Sequence, residues 1–144
     1  MKKGCETAHL GRLHLCDSLR DVPYLYRGVP AESSEVADVR ACGEVCPPRF
    51  DRIGTYWRQM HVAGDTDTGY TSWTTDRSIA EDAAAAGSED GGLSGQIRIL
   101  RVRVRSLDLE RVFEGRSDED EYLIEGRVEG VQISESATDD DDDD

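Results

Sequence analysis

Three short stretches of the sequence hold side chains that could act together on a ligand carrying phosphate and sugar. The first is Tyr24-Leu-Tyr-Arg27-Gly28, an arginine at the end of an apolar run. The second is Gly69-Tyr-Thr-Ser72-Trp-Thr74-Thr, rich in hydroxyls. The third is Ser117-Asp-Glu119-Asp-Glu121-Tyr-Leu-Ile124, two glutamates two residues apart at the entrance to an apolar segment. A guanidinium is a planar, permanently charged fork that fits phosphate oxygens. A carboxylate beside a sugar can bond a hydroxyl and stabilise positive charge developing at the anomeric carbon, as in glycoside cleavage. If the third stretch is extended, Glu119 and Glu121 face the same side. Each stretch also has an ordinary reading. Arg27 taken alone reads as a surface or ion-paired arginine, and hydroxyls suit any half-exposed strand. With 13 Glu in 144 residues, a Glu-x-Glu arises easily. Trp73 reads as core, and Tyr70 as core or as a stacking platform.

Positioning these groups falls to a mixed set of elements. Leu10, Leu13, Leu15 and Leu19 predict one short helix within residues 1–22. Residues 21–28, aromatic and branched around Pro23, predict a strand closed by Gly28. Residues 29–48 hold three of the four prolines and no sustained period, which predicts a loop. From Arg49, the spacing of Phe50, Ile53, Trp57 and Met60 predicts an amphipathic helix ending near Ala63 and Gly64. A turn, a strand over 70–75 and an Asp76-capped helix over 77–86 follow, with glycines from Gly87 onward ending the helix. The glycine cluster from Gly91 to Gly95 precedes a strand and reads as a hinge or turn. Residues 96–105 predict that strand, bulged or covered on both faces, because apolar residues fall on both sides of it. Residues 107–113 predict a short connection. Strands over 121–124 and 128–133 complete the chain, joined by a turn at Glu125 and Gly126. Helices early and strands late favour an α+β fold over a βαβ series.

Taken in order, the three stretches resemble the mono-ADP-ribosyltransferases of the Arg–Ser–Glu class, which includes the cholera-toxin-like enzymes. That family carries an Arg on its first core strand, then an aromatic-x-Ser-Thr-Ser strand. A helix with a buried Ala follows, and later a Glu-x-Glu entering an apolar strand. Here Ser72-Trp73-Thr74 stands in place of Ser-Thr-Ser, and Ala80 lies at the expected helical distance. The resemblance covers about residues 24–133. It implies two small packed sheets, mixed or antiparallel, with flanking helices and NAD bound in the cleft between them. It further implies cleavage of the nicotinamide–ribose bond and transfer of ADP-ribose to a protein side chain, with NAD hydrolysis as a side activity. Glu121 becomes the principal catalytic residue, and Ser72 orients it through a hydrogen bond. Glu119 marks an arginine acceptor and helps to deprotonate it. Arg27 and Gly28 bind the cofactor, Thr74 braces the strand or the nicotinamide pocket, and Tyr70 lines the site. The sequence departs from the family's pattern at Trp73, which replaces a small residue, and at Thr74, which replaces a serine. Asp118 and Asp120 add negative charge that attracts a cationic acceptor and repels the phosphates of NAD. Two rivals stand beside this reading: an inactive NAD-binding member of the same fold, and an acidic, antitoxin-like interaction module that uses the net charge and the Asp tail.

Composition narrows the classes further. The chain has 31 Asp and Glu against 17 Lys and Arg, a net charge of −14. Six of the acids form the run Asp139 to Asp144, leaving 25 acids against 17 bases over residues 1–138, a net of −8. A body of that sign repels phosphate backbones, so no nucleic-acid partner is expected. Residues 1–138 are read as one domain with its core over about 22–134, and 139–144 as a disordered acidic tail. No run approaches the roughly 20 apolar residues of a membrane span. The basic start, Met1 to Glu6, lacks a following apolar region, so a cytoplasmic, toxin-like modifier is expected. Cys5, Cys16, Cys42 and Cys46, with His9 and His14 near the first two, lack the tight knuckle spacing of zinc sites and read as free thiols. No dinucleotide-binding glycine fingerprint, phosphate-binding P-loop or His-Glu-x-x-His motif occurs.

Overall fold

The computed structural model describes residues 19, 21–87, 97–116, 118 and 120–134. Over these, three α-helices alternate with eight strands. The helices are α1 (Ser34–Cys42), α2 (Thr55–Val62) and α3 (Arg77–Gly87). The strands are β1 (Tyr24–Pro30), β2 (Glu44–Val45), β3 (Tyr70–Thr74), β4 (Ile97–Arg103), β5 (Val112–Glu114), β6 (Glu121–Glu125), β7 (Val128–Glu129) and β8 (Gln132–Ser134). Two single 3-10 turns, Val104–Ser106 and Leu109–Arg111, link β4 to β5. The class is α+β.

Six strands form one sheet in the order β5-β6-β3-β1-β4-β8, and β2 pairs with β7 in a separate ribbon. Every pairing among the described residues is antiparallel. The large sheet is not evenly bonded. β1 and β4 run together from Tyr24–Arg103 to Pro30–Ile97, and β3 and β6 from Tyr70–Glu125 to Thr74–Glu121. Between these halves, β1 and β3 are in register at Tyr26–Thr74 alone among the described residues. The sheet is therefore two three-stranded halves, β8-β4-β1 and β3-β6-β5, joined at one point and parting beyond it. This seam replaces the division into two separate small sheets that the resemblance implies.

Alternation along the strands sorts the core. Leu25, Val29, Leu100, Val102, Trp73 and Ile124 enter the main cluster, closed by Val36 and Val39 of α1. Tyr24, Tyr26 and Ile99 face the other way and pack with Ala80 of α3. β4 is thus covered on both faces, the condition that gives a strand apolar residues of both parities. Gly28 does not end β1. It lies under α3, where a Cβ would stand 1.8 Å from the Ala80 carbonyl oxygen and 2.9 Å from the Ala84 Cβ. Only glycine permits that approach. The helix α3 starts as expected, with Asp76 Oδ1 accepting from the Ser78 N–H at 2.9 Å and the Ser78 hydroxyl at 2.7 Å. Those bonds hold the Asp76 carboxyl below its usual range.

Four further expectations need correction. Residues 29–48 are not a loop: they hold α1 and β2. Ser33 caps α1 by accepting from the Glu35 N–H at 3.1 Å, and Gly43 closes it at φ 71°. The prolines lie outside this helix, at its flanks. The helix expected from Arg49 starts only at Thr55, because Gly54 sits at φ 114°, outside any helical conformation. Phe50 and Ile53 are 52 % and 45 % exposed, and their segment is tied down by bonds from Arg49 N–H to the Thr68 carbonyl and Gly69 N–H to the Arg52 carbonyl. Residues 107–113 contain a strand as well as a connection, since β5 begins at Val112 and pairs with β6. The single strand expected over 128–133 is broken by Gly130 at φ 76°, so β7 joins β2 while β8 joins β4. Elements consequently interleave along the chain. The predicted N-terminal helix, apart from Leu19, the glycine cluster from Gly91 to Gly95 and the acidic tail lie outside the described residues.

Candidate functional site

Where β1 and β3 part, a cleft of about 100 Å³ opens, lined by Arg27, Gly28, Ser72, Thr74, Ala80 and Glu121 among others. Four elements supply these residues: β1, β3, β6 and the first turns of α3. The adjacency of β1, β3 and β6 is what gathers an arginine, a serine and a glutamate that are far apart in sequence. Five of the expected site residues therefore meet around one space. Glu119 lies outside the described residues.

Arg27 is held firmly. Its Nε and Nη2 donate to the two oxygens of Glu35 at 2.7 and 2.8 Å, a bidentate pair reaching from β1 to α1. Its Nη1 donates to the Ser72 carbonyl at 3.0 Å, across the seam. The guanidinium thus stands in for ladder bonds that the parted strands do not make. Three of its five N–H donors are committed in this way, leaving two.

Ser72 is the second surprise. Its hydroxyl lies 2.8 Å from Nε2 of His61, at the end of α2, and not on the Glu121 carboxylate as the resemblance implied. Nδ1 of the same imidazole lies 2.7 Å from the Thr68 hydroxyl. His61 is buried, and desolvation holds it below its usual value; Glu121 and Asp65 oppose this, and Arg27 reinforces it. A neutral imidazole follows at pH 7.

Glu121 opens β6 and is half-buried. Its Oε1 accepts from the Arg116 N–H at 2.9 Å, which orients the carboxylate from the loop before the strand. Gly115 makes this possible, since a Cβ there would stand 2.6 Å from Oε1. The chain enters β6 through Asp120 at φ 49°, a left-handed conformation that Asp tolerates better than most residues. Asp118 and Asp120 are exposed just before it in the chain, and Asp118 pairs with the Arg116 guanidinium at 3.5 Å.

Thr74 is buried at the junction of the halves, where its hydroxyl accepts from the Asp76 N–H at 3.1 Å and braces the turn into α3. Tyr70 does not line the cleft. Its ring is fully buried, and its hydroxyl accepts from Gly54 N–H at 2.8 Å and Arg58 Nη1 at 3.0 Å and donates to Glu125 Oε1 at 3.1 Å. Burial raises the Tyr70 phenol above its usual value. It has no face to offer a ligand, so the stacking role is withdrawn and the core role stands.

Sequence reasoning missed His61, Glu35 and Gly115. His61 was hidden on a helix read for its apolar face, and Glu35 inside a stretch read as loop. The cap pattern Ser33, Glu35 and Gly43 was the signal that could have found the second. Cys42 and Cys46 are exposed free thiols, and no group of three or more His, Cys, Asp or Glu able to hold a metal occurs among the described residues. Cys5, Cys16, His9 and His14 lie outside them. No helix among them is long and apolar enough to cross a membrane. No protein-family model, curated protein or solved structure matches the chain.

Proposed function

We propose that this protein is an NAD-dependent mono-ADP-ribosyltransferase working in the cleft at the β1/β3 seam. The observation that carries the reading is the neighbourhood of three strands, β1, β3 and β6, whose Arg27, Ser72 and Glu121 line one space. Those are the residues, in the order, on which the resemblance to the Arg–Ser–Glu class rests. The two uncommitted donors of Arg27 suit phosphate or ribose oxygens. The cleft, about 100 Å³, is smaller than the roughly 300–1,000 Å³ of a usual small-molecule site. In this reading it takes only the nicotinamide ring, and the rest of NAD lies along the open rim.

In this reading the bond between ribose C1′ and the nicotinamide nitrogen breaks, and both electrons leave with nicotinamide, which becomes neutral and needs no acid. Glu121 bonds a ribose hydroxyl and stabilises the positive charge left on the sugar. The acceptor side chain, or water, then attacks C1′ and loses a proton, a task the resemblance gives to Glu119 for an arginine acceptor. Exposed Asp120, one residue before Glu121, favours such a cation. The test is nicotinamide release from labelled NAD, with and without cell lysate. Wild type should release nicotinamide and label a protein, and Glu121→Gln should lower kcat by at least about 100-fold. Unchanged release in the variant removes Glu121 from its role.

A second reading is favoured by one observation, the bidentate lock of Arg27 on Glu35. If Arg27 serves the seam alone, the cleft binds NAD without turning it over. Calorimetric binding of NAD with no nicotinamide release by wild type would select this inactive form.

A further inference from the structure

Thr68, His61 and Ser72 form a hydrogen-bond chain running from the buried interior to the wall of the cleft. Thr68 is fully buried, and its hydroxyl oxygen already accepts from the Tyr70 N–H at 3.1 Å. Its own proton needs an acceptor, and among the described residues Nδ1 of His61 at 2.7 Å is the one in reach. If Nδ1 carried the proton, the Thr68 hydroxyl proton would be buried unpaired, a costly arrangement. Satisfaction of Thr68 therefore leaves Nδ1 bare and puts the imidazole proton on Nε2, which donates to the Ser72 oxygen at 2.8 Å. Ser72 is then an acceptor on its inner side, and its own proton turns outward into the cleft that it lines.

We infer that His61 is a positioning residue: fixed in the Nε2–H form by Thr68, it makes Ser72 an outward donor aimed at an acceptor oxygen in the cleft. That oxygen belongs to the bound ligand, since the Ser72 hydroxyl makes no bond to the Glu121 carboxylate. Ser72 is thereby excluded as a base or as a proton relay into the protein, because the inner route is already occupied by a donor. The identity of the ligand rests on the transferase reading; the polarity of the chain does not. The charged groups facing His61 are Glu121 from β6, Arg27 from β1 and Asp65 from the loop after α2, and desolvation outweighs them in keeping the ring neutral.

The experiment is imidazole nitrogen NMR on the full chain bearing His9→Gln and His14→Gln, which leaves His61 as the one histidine. At pH 7 the ring should be neutral with Nε2 protonated, and Thr68→Val should release that preference. An Nδ1–H ring, or a doubly protonated ring at pH 7, overturns the inference. Kinetics supply the second arm. Ser72→Ala and His61→Gln should each lower kcat for nicotinamide release about tenfold with little change in KM, while Ser72→Thr restores it. Full kcat in both Ser72→Ala and His61→Gln also overturns the positioning role. If wild type releases no nicotinamide, the transferase reading falls, and the tautomer alone decides this one.

Discussion

Glu121 illustrates how much a site depends on what stands behind it. Its carboxylate rests against Gly115 and is fixed by the Arg116 N–H. The atoms nearest to a methyl group at position 115 all belong to the flexible Glu121 side chain, so Gly115→Ala should cost little stability, within about 1 kcal/mol. It should nevertheless swing the carboxylate away and lower kcat by roughly tenfold or more. Wild-type turnover in a Gly115→Ala protein with normal folding would show that the carboxylate's present position is irrelevant. His61 makes a second prediction. Its folded-state value lies below its ordinary one near 6.5, so between the two the unfolded chain binds more protons. The contribution to stability is full above about pH 6.5 and falls away as the pH drops toward the folded-state value. Urea midpoints from pH 8 to pH 5 should fall more steeply for wild type than for His61→Gln. Parallel slopes would mean that burial does not perturb this imidazole.

Among the elements, the decisive contact is that of α3 with β1. Gly28 and Ala80 bring a helix backbone directly onto a strand backbone, which fixes the back wall of the cleft. The obstacle to a side chain at position 28 is the Ala80 carbonyl, which cannot rotate aside. Gly28→Ala should therefore push α3 off the strand and lose about 1–3 kcal/mol or more. A thermal midpoint within 1 °C of wild type would contradict the close packing. The same geometry recasts Gly28. The sequence offered it as a cofactor contact and a strand end; its position under α3 explains the glycine without any ligand. Arg27 has a comparable double character, since its bonds to Glu35 and Ser72 tie α1 and β3 to β1 across the seam.

At the scale of the whole molecule, charge has the widest reach. A net of −14 on 144 residues opposes compaction, and the body alone retains −8. Salt shortens the range of that repulsion from about 10 Å at 0.1 M to about 3 Å at 1 M. The melting temperature should rise between 0.05 and 1 M NaCl, and rise less in a chain ending at residue 138. An equal or larger rise in the shorter chain would show that the Asp run adds nothing to the repulsion.

The sequence by itself determined the elements whose signals are local. The strand around Arg27, the hydroxyl strand, the Asp76-capped helix and the strand after Glu121 each carry their own propensity, period or cap, and each formed. α1 carried its caps too, at Ser33 and Gly43, but flanking prolines masked them. Tertiary structure alone decided the rest. Whether β1 and β3 zip together or part is a matter of long-range pairing, so the seam that makes the cleft leaves no periodic trace. Partners such as Glu35 for Arg27, His61 for Ser72 and Arg116 for Glu121 depend on which elements pack side by side. Tyr70 shows the same limit from the other side. Its residue type fits a ligand platform or a core ring equally well, and only its burial beside Gly54, Arg58 and Glu125 chose between them.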